Sequence, residues 1–308
     1  MNDFGVRLAQ IANVEENAPM AQYTSFRAGG AAAYLVFPEN EVSLCQVIQT
    51  VREEGVPYYV TGNGSNILVR DGGFPGVIIK IADGFSQIRT EGTKIYAGAG
   101  ALLSAISKEA ARHTLSGLEF ASGIPGSLGG AVYMNAGAYD GEMKMVLETV
   151  RLLDPATGVI REAEASELAL GYRYSKLYET GEIVLSAVMA LTPGDEDEIR
   201  EKMRDFTERR TTKQPLAYPS AGSFFKRPTG YFAGKLVQDA GLKGLTVGGA
   251  QVSTLHSGFV INIGGATATD IIQLMHLVQA RVKEQFGVDL QPEVRIIGVD
   301  KGESDSLA

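Results

Sequence analysis

The chain has 308 residues, enough for two or three hydrophobic cores, and its 44% hydrophobic and 21% charged residues are ordinary for a globular protein. No apolar run approaches the ~18 residues of a membrane span, and residues 1–19 carry acids and no long apolar stretch, so we expect neither a membrane protein nor a secretory signal. The single cysteine, Cys45, excludes an internal disulfide and a cysteine-rich metal site, and the net charge of −8 argues against nucleic-acid binding. We therefore expect a cytoplasmic protein.

The first part of the chain is predicted to alternate helices and strands. Apolar spacing and cap residues predict a helical arm over residues 1–20, a strand at 31–37, a helix at 40–54 and strands at 57–60 and 77–81. In the helix at 40–54, Asn40 is the predicted cap. Its predicted buried stripe consists of Val42, Cys45, Ile48 and Val51, which makes Cys45 a core residue and not a nucleophile.

A glycine loop at residues 62–66, Gly-Asn-Gly-Ser-Asn, follows the strand at 57–60 directly. The dinucleotide fingerprint G-x-G-x-x-G needs a third glycine and a following helix, but the strand-like residues 67–69 come next. The pair at Gly98 and Gly100 precedes a helical pattern and also lacks the third glycine. The sequence therefore argues against a standard nicotinamide-binding Rossmann domain.

A second glycine-rich stretch covers residues 117–141. Its run at 122–127, Ser-Gly-Ile-Pro-Gly-Ser, can present several neighbouring backbone N–H groups, a concave nest suited to phosphate. The alternative is a plain turn at the end of a sheet, since glycine and proline are turn formers first. A second loop of the same character, at 62–66, favours the phosphate nest.

The remaining elements form a hairpin, a strand and a C-terminal domain. We predict paired strands at 149–153 and 159–162, a strand at 183–191, helices at 195–210, 231–240 and 269–286, and a last strand at 291–297. Residues 209–243 contain seven cations and one acid inside an acidic chain. This segment is either a solvated basic face or a site for a polyanionic small molecule.

Taken together, these segments resemble the UDP-N-acetylenolpyruvoylglucosamine reductase family in order and spacing. The matching motifs lie at residues 24–30, 62–66, 122–127, 135–137, 172–175, 222–226 and 292–295. The resemblance implies an α+β fold with a two-subdomain FAD-binding unit of the vanillyl-alcohol-oxidase type and a C-terminal α/β substrate domain. The implied boundaries are 1–84 and 85–205 for the two subdomains, 206–300 for the substrate domain and 301–308 for a flexible tail. The chain resembles the compact second type, because no tyrosine-bearing insertion is present to close over the substrate.

The resemblance also implies the chemistry. NADPH reduces a non-covalent FAD, and the reduced flavin N5 then gives hydride to UDP-N-acetylglucosamine enolpyruvate, which forms UDP-N-acetylmuramate for peptidoglycan synthesis. Arg173 and Glu293 match the residues that hold and polarise the substrate carboxylate, and Ser223 matches the proton donor. Lys213, Arg227 and Lys235 are the implied nucleotide-binding residues. The implied FAD-binding residues are Gly62, Asn63, Gly64, Ser65, Asn66, Gly123, Ile124, Gly126, Ser127, Asn135 and Gly137. No metal, nucleic acid, membrane or obligate protein partner is expected.

Two other functions remain open at this stage. A flavin oxidase of the same fold would oxidise an alcohol or sugar, and many such enzymes attach FAD to histidine or cysteine. Neither glycine loop contains either residue. A catalytically inactive nucleotide-sugar-binding protein would need no trio of arginine, serine and glutamate.

Overall fold

The computed structural model describes residues 2–302, so most of the tail predicted at 301–308 lies outside the described residues. The chain forms two compact units. Unit 1 comprises the residues up to 16, 34–63 and 77–210, and unit 2 comprises 17–33, 64–76 and the chain from 211 onward. The predicted domain boundaries at residues 84 and 205 stay a prediction.

Helices and strands both occur along the whole described chain, as the predicted α+β class requires. The helices are α1 Asp3–Ile11, α2 Glu41–Glu53, α3 Leu103–Arg112, α4 Leu128–Tyr133, α5 Leu177–Thr180, α6 Glu196–Lys213, α7 Ala233–Asp239 and α8 Ala268–Phe286. Short 3-10 turns connect several of them. Across residues 2–302, no helix combines the length and the apolar character that crossing a bilayer would require.

The strands are short, with 2 to 8 residues each. They are β1 Asn13–Pro19, β2 Ala31–Phe37, β3 Tyr58–Thr61, β4 Ile67–Val69, β5 Phe74–Lys80, β6 Ile88–Glu91, β7 Lys94–Gly98, β8 Leu115–Ser116, β9 Gly137–Ala138, β10 Gly141–Glu142, β11 Leu147–Leu153, β12 Ile160–Glu164, β13 Ile183–Ala190, β14 Thr192–Pro193, β15 Ser220–Ser223, β16 Thr246–Val247, β17 Ala250–Val252, β18 Phe259–Asn262 and β19 Arg295–Ile297.

Unit 1 is built on two sheets over one hydrophobic core. In the first sheet, of order β1-β2-β5-β3, strands β3 and β5 are parallel with Tyr58 opposite Val77. The second sheet is antiparallel, with the order β12-β11-β13-β7-β6. Buried Val, Ile and Leu side chains from both sheets and from α2 and α3 form one continuous cluster. The parallel pairing brings the carboxyl end of β3, where the first glycine loop begins, to one end of the first sheet.

Unit 2 has its own core. Its four-stranded antiparallel sheet has the order β15-β18-β17-β16, and buried residues of α7 and α8 pack against it. A separate parallel pair joins β4 to β19, with Ile67 opposite Arg295. This pair links two segments that are far apart in sequence, and it fixes the backbone next to Glu293.

Several predicted elements needed correction. The helical arm ends at Ile11, and β1 follows, because Asn13, Asn17 and Pro19 are poor helix residues. Asn40 caps α2 as predicted, but the buried stripe is shifted: Leu44 and Val47 are buried with Ile48 and Val51, whereas Val42 is 67% exposed.

α8 ends at the predicted residue, Phe286, and begins at Ala268, one residue before the predicted start. The N-cap is Thr267, whose hydroxyl accepts from the Asp270 amide at 3.0 Å, so Asp270 is the third helical residue of a capping box. Phe286 is 37% exposed at the end of the helix.

Candidate functional site

The two glycine loops meet within unit 1. A Cβ atom on Gly62 would lie 2.0 Å from the Ser127 hydroxyl oxygen, so a side chain at position 62 does not fit. The Asn63 side-chain amide donates to the Pro125 carbonyl at 2.6 Å. The loop that follows β3 and the run at 122–127, the two glycine-rich stretches of the sequence analysis, are therefore in direct contact.

Several donors at this junction have no acceptor among residues 2–302. The Ser127 hydroxyl is buried and makes no hydrogen bond in the described part of the chain. No carbonyl or side chain of that part accepts from the backbone amides of Gly62, Asn63, Gly126 or Ser127. A buried polar group is normally satisfied, so the Ser127 hydroxyl indicates a ligand with acceptor oxygens, and the amides beside it can donate to the same ligand. The residues fit a phosphate or diphosphate.

The loop at 122–127 is held by its neighbours without using these donors. The Leu103 amide donates to the Gly126 carbonyl at 3.0 Å, and the Leu128 amide donates to the Ala101 carbonyl at 2.8 Å. The Ile124 amide, by contrast, donates to the Ala121 carbonyl at 3.1 Å. The Ile124 amide is thus used within the turn, and the available donors lie at the Gly126–Ser127 end of the run.

Two cations near these loops were not selected from the sequence. Lys80, at the end of β5, is half-buried and donates to the Gly62 carbonyl at 3.2 Å, and burial lowers the pKa of its ammonium group. Arg210, near the end of α6, lies against Gly123, where a Cβ atom would be 3.0 Å from its Cδ. Lys80 could have been selected from the sequence, because it is a charged residue at the end of an otherwise apolar strand. Nothing in the neighbouring sequence distinguishes Arg210 from Arg209.

Arg173 lies on a tight turn in unit 1. Gly171 and Tyr174 exchange backbone hydrogen bonds of 3.0 and 3.2 Å, and Arg173 between them has a left-handed φ of 52°. Its guanidinium donates to the Gly137 carbonyl at 3.3 Å and lies 5.2 Å from the centre of the Tyr172 ring. A non-glycine residue in this conformation stores strain, which is common where a side chain is held for function.

Asn135 supports that turn. Its fully buried side chain donates to the Gly171 carbonyl and to Glu142, both at 2.9 Å, and accepts from the Lys144 amide at 2.9 Å. Asn135 and Gly137 were predicted to bind the cofactor, and that remains a prediction. In the structure, both residues contact the turn that carries Arg173.

The predicted catalytic residues of unit 2 lie on adjacent segments. Ser223 ends β15 and is exposed, while the following Phe224 is fully buried. The Glu293 amide donates to the Phe224 carbonyl at 2.8 Å, so the backbone of Glu293 is bonded to the residue next to Ser223. Ser223 and Glu293 are 70 positions apart in the sequence, and the backbone hydrogen bond within unit 2 brings their two segments together.

The second half of the first glycine loop belongs to the same arrangement. The Asn66 side-chain amide donates to the Glu293 carbonyl at 3.1 Å, and the Arg295 amide donates to the Asn66 carbonyl at 2.9 Å. Ser65 accepts from the Ser25 hydroxyl at 3.3 Å through its carbonyl. Gly64 has φ +66°, and a Cβ there would lie 2.1 Å from the Tyr23 carbonyl oxygen. These residues were predicted as cofactor ligands, which stays a prediction; in the structure Asn66 is hydrogen-bonded to Glu293, whereas Gly64 and Ser65 contact Tyr23 and Ser25.

The three cations predicted to bind the nucleotide are all exposed in unit 2. Lys213 is the last residue of α6. The Arg227 guanidinium lies 4.2 Å from the centre of the Phe232 ring. Lys235 makes an ion pair of 2.8 Å with Asp239, one helical turn away. Lys235 is therefore already neutralised within its own helix.

The possible metal-ligating side chains form no metal-binding cluster among the described residues. In residues 2–302, no group of three or more histidine, cysteine, aspartate or glutamate side chains could hold a metal ion. The half-buried Cys45 lies on α2 beside the unit 1 core, and burial raises the pKa of its thiol.

Comparisons with known proteins match two separate segments of the chain. A family described as FAD binding domain matches residues 32–164, and one described as UDP-N-acetylenolpyruvoylglucosamine reductase, C-terminal domain, matches residues 214–297. A relative from Alkaliphilus oremlandii (strain OhILAs), named UDP-N-acetylenolpyruvoylglucosamine reductase, is 54% identical over 280 residues, which cover 91% of this chain and 92% of the relative.

Solved structures show a similar fold. The crystal structure of UDP-N-acetylenolpyruvylglucosamine reductase from Thermus caldophilus has a TM-score of 0.80 and 38% identity, and the match covers 92% of this chain and 99% of that one. A variant of Phl p 4, a glucose oxidase, has a TM-score of 0.50 at 14% identity, covering 63% of this chain and 45% of the other, a likeness of fold alone. The predicted fold, an FAD-binding unit followed by a further C-terminal domain, is confirmed.

Proposed function

The chain belongs to the UDP-N-acetylenolpyruvoylglucosamine reductase family, and from this premise we propose that it reduces UDP-N-acetylglucosamine enolpyruvate to UDP-N-acetylmuramate with NADPH as reductant. The chain is an oxidoreductase of peptidoglycan precursor synthesis with FAD as its cofactor. The observation that most directly supports a reductase, and not only a binding protein, is the pairing of the Ser223 and Glu293 segments in unit 2. The cytoplasm is the proposed site of action.

FAD, held without a covalent bond, supplies the hydride that the enolpyruvyl group accepts. The amides of Gly62, Asn63, Gly126 and Ser127 and the Ser127 hydroxyl, which have no acceptor among residues 2–302, would donate to its diphosphate. These groups are fixed by the surrounding backbone, so binding requires little reorganisation. Lys80, bonded to the Gly62 carbonyl, contributes positive charge beside the same loop.

Ser223 donates the proton. After hydride arrives at the vinyl carbon, negative charge develops on the neighbouring carbon and its carboxylate, and Ser223 gives its hydroxyl proton to that carbon. Arg173 and Glu293 hold and polarise the carboxylate; the turn at 171–174 supports Arg173, and backbone bonds to Phe224 and Asn66 hold Glu293. Lys213 and Arg227 bind the nucleotide diphosphate, and Lys235 contributes least because Asp239 already pairs with it.

Stopped-flow kinetics of the Ser223→Ala variant test this assignment. Reduction of bound flavin by NADPH needs no such proton and should stay near the wild-type rate. Reoxidation by the enolpyruvyl substrate should fall by at least about a hundredfold, the lower end for losing a positioned acid. Ser223→Cys keeps a transferable proton and should retain more reoxidation activity than Ser223→Ala.

The matched control is Ser220→Ala, at the start of the same strand and opposite Ile261. It should leave both half-reactions near the wild-type rates. If Ser223→Ala slows both half-reactions equally, Ser223 positions the flavin or the fold, and the proton comes from Glu293 or from water.

A further inference from the structure

Arg210 differs from the other arginine at the end of α6. Arg209 is exposed and makes a 2.7 Å ion pair with Asp205, one turn earlier. Arg210 is half-buried and lies one turn beyond Phe206, whose ring stacks on Tyr139 at 4.5 Å between centroids. Two consecutive arginines of one helix therefore face different surroundings, one solvent and the other the interior side of unit 1.

The Arg210 side chain covers Gly123 in the second glycine loop. A Cβ atom on Gly123 would lie 3.0 Å from Cδ of Arg210 and 3.7 Å from Nε and Nη1. The guanidinium group is thus beside the run at 122–127, the same run in which the Gly126 and Ser127 amides and the Ser127 hydroxyl lack partners.

No acid compensates the charge of Arg210. Within the described part of the chain it makes no ion pair and no hydrogen bond, and burial lowers the pKa of its guanidinium while the nearby Tyr139 opposes that shift. Most other arginines here have a carboxylate within ion-pair distance, namely Arg7, Arg70, Arg89, Arg112, Arg151, Arg161, Arg200, Arg209 and Arg281. Removing a charge from water without a counter-charge is unfavourable, so a bound anion is the expected partner.

We infer that Arg210 binds the diphosphate of FAD, alongside the unpartnered donors of the loop at 122–127. This inference rests on the proposed function, because it assigns a residue to the cofactor site of the same reductase. A planar guanidinium can bind two phosphate oxygens at once, which a single amide cannot do. The loop supplies directional donors, and Arg210 supplies the positive charge that the loop itself lacks.

Cofactor-binding measurements on the purified, flavin-free full chain test the inference. The probes are FAD and riboflavin, which share the isoalloxazine ring and ribityl chain, whereas riboflavin lacks the diphosphate and the adenosine. In Arg210→Gln, the Kd for FAD should rise about ten- to a hundredfold, the effect of one charged hydrogen-bonding group. The Kd for riboflavin should stay within about twofold of the wild-type value. Arg210→Lys should fall between wild type and Arg210→Gln.

Arg209→Gln is the matched control, since it removes the same charge from the next position, and it should leave both affinities unchanged. Gly123→Ala is a second variant that keeps the arginine but displaces it from the loop, and it should weaken FAD binding selectively. Thermal unfolding of each flavin-free variant shows whether it is folded before the affinities are compared.

Equal loss of FAD and riboflavin affinity in Arg210→Gln would overturn the inference, because Arg210 would then act on the flavin ring or on the fold. Unchanged FAD affinity in Arg210→Gln would overturn it as well. Failure of the proposed function has a different signature. In that case the wild-type chain itself would not bind FAD, or would bind it and not be reoxidised by the enolpyruvyl substrate.

Discussion

The two halves of the loop at residues 62–66 differ in their hydrogen bonding, although they form one sequence motif. In Gly62–Asn63, which belong to unit 1, the backbone amides have no acceptor among residues 2–302. Glycine is needed at position 62 because the Ser127 hydroxyl occupies the space of a side chain. This half leaves its hydrogen-bond donors available to a ligand.

In Gly64–Asn66, which belong to unit 2, all three backbone carbonyls and the Asn66 side chain are hydrogen-bonded to other residues of the unit. The Gly64 carbonyl accepts from the Ser25 amide at 3.1 Å, and Asn66 bonds to both Glu293 and Arg295. Glycine is needed at position 64 for its positive φ and for the Tyr23 carbonyl packed against it. Substitutions can therefore separate the half that we propose to bind FAD from the half whose Asn66 is bonded to the segment of Glu293.

The largest expected effect is on stability, from Gly64→Ala. The new methyl group would meet the Tyr23 carbonyl oxygen at 2.1 Å, and alanine is strained at φ +66°. Strain and overpacking together should lower the free energy of unfolding by about 3 kcal/mol or more. Urea unfolding monitored by circular dichroism measures the change.

Gly55→Ala is the control for strain alone, because Gly55 has φ +65° and nothing lies within 4 Å of a Cβ there. This substitution should lower the free energy of unfolding by only about 1 kcal/mol. A Gly64→Ala protein with wild-type stability but weakened FAD binding would show that Gly64 belongs to the ligand-binding half instead.

A smaller effect, mainly on FAD affinity, is expected from Gly62→Ala. The added methyl group collides with the Ser127 hydroxyl, so the stability should fall by about 1–3 kcal/mol and the Kd for FAD should rise at least about tenfold. Ser127→Ala added to this variant removes the colliding atom and leaves the Ser127 Cβ at 3.3 Å. The double variant should regain most of the stability but not the FAD affinity. If the stability loss of the double variant equals the sum of the losses of the two single variants, the methyl group at position 62 does not collide with the Ser127 hydroxyl.

The smallest effect is expected from Ser127→Ala alone. Its hydroxyl has no protein partner in the described residues, so the flavin-free protein should be as stable as wild type. If that hydroxyl donates to the diphosphate, the Kd for FAD should rise about two- to tenfold. Fluorescence titration with FAD measures it, and a loss of stability with unchanged affinity would assign Ser127 to the fold.

The sequence predicted the elements well wherever one periodicity dominated. The strand at 31–37, the hairpin around 154–158 and the cap at Asn40 all lie where the pattern put them. Errors arose where two assignments fit the same residues. In α2, two apolar stripes share Ile48 and Val51, and only packing against the sheets decides that Leu44 and Val47 are the buried pair.

The site was predictable as a set of motifs but not as an arrangement. The structure brings the two glycine loops into contact, and the cofactor roles predicted for them stay a prediction. The different use of residues 62–63 and 64–66 depends on partners such as Glu293 that are distant in sequence. Arg210 was counted among seven cations, and its burial against Gly123 has no local signal because Arg209 has the same neighbours in sequence.

The parallel pair of β4 and β19 also bears on how the chain is synthesised. Ile67 leaves the ribosome long before its partner Arg295, and until then β4 lacks the neighbour that completes its backbone bonding. Contacts of such long sequence separation form late and slowly. Unit 2 can therefore complete its folding only after residue 297 has been made, whereas the long segment 77–210 of unit 1 is available earlier. The setting of Glu293 beside Asn66 has to wait for that late segment, and until then β4 is an unpaired strand.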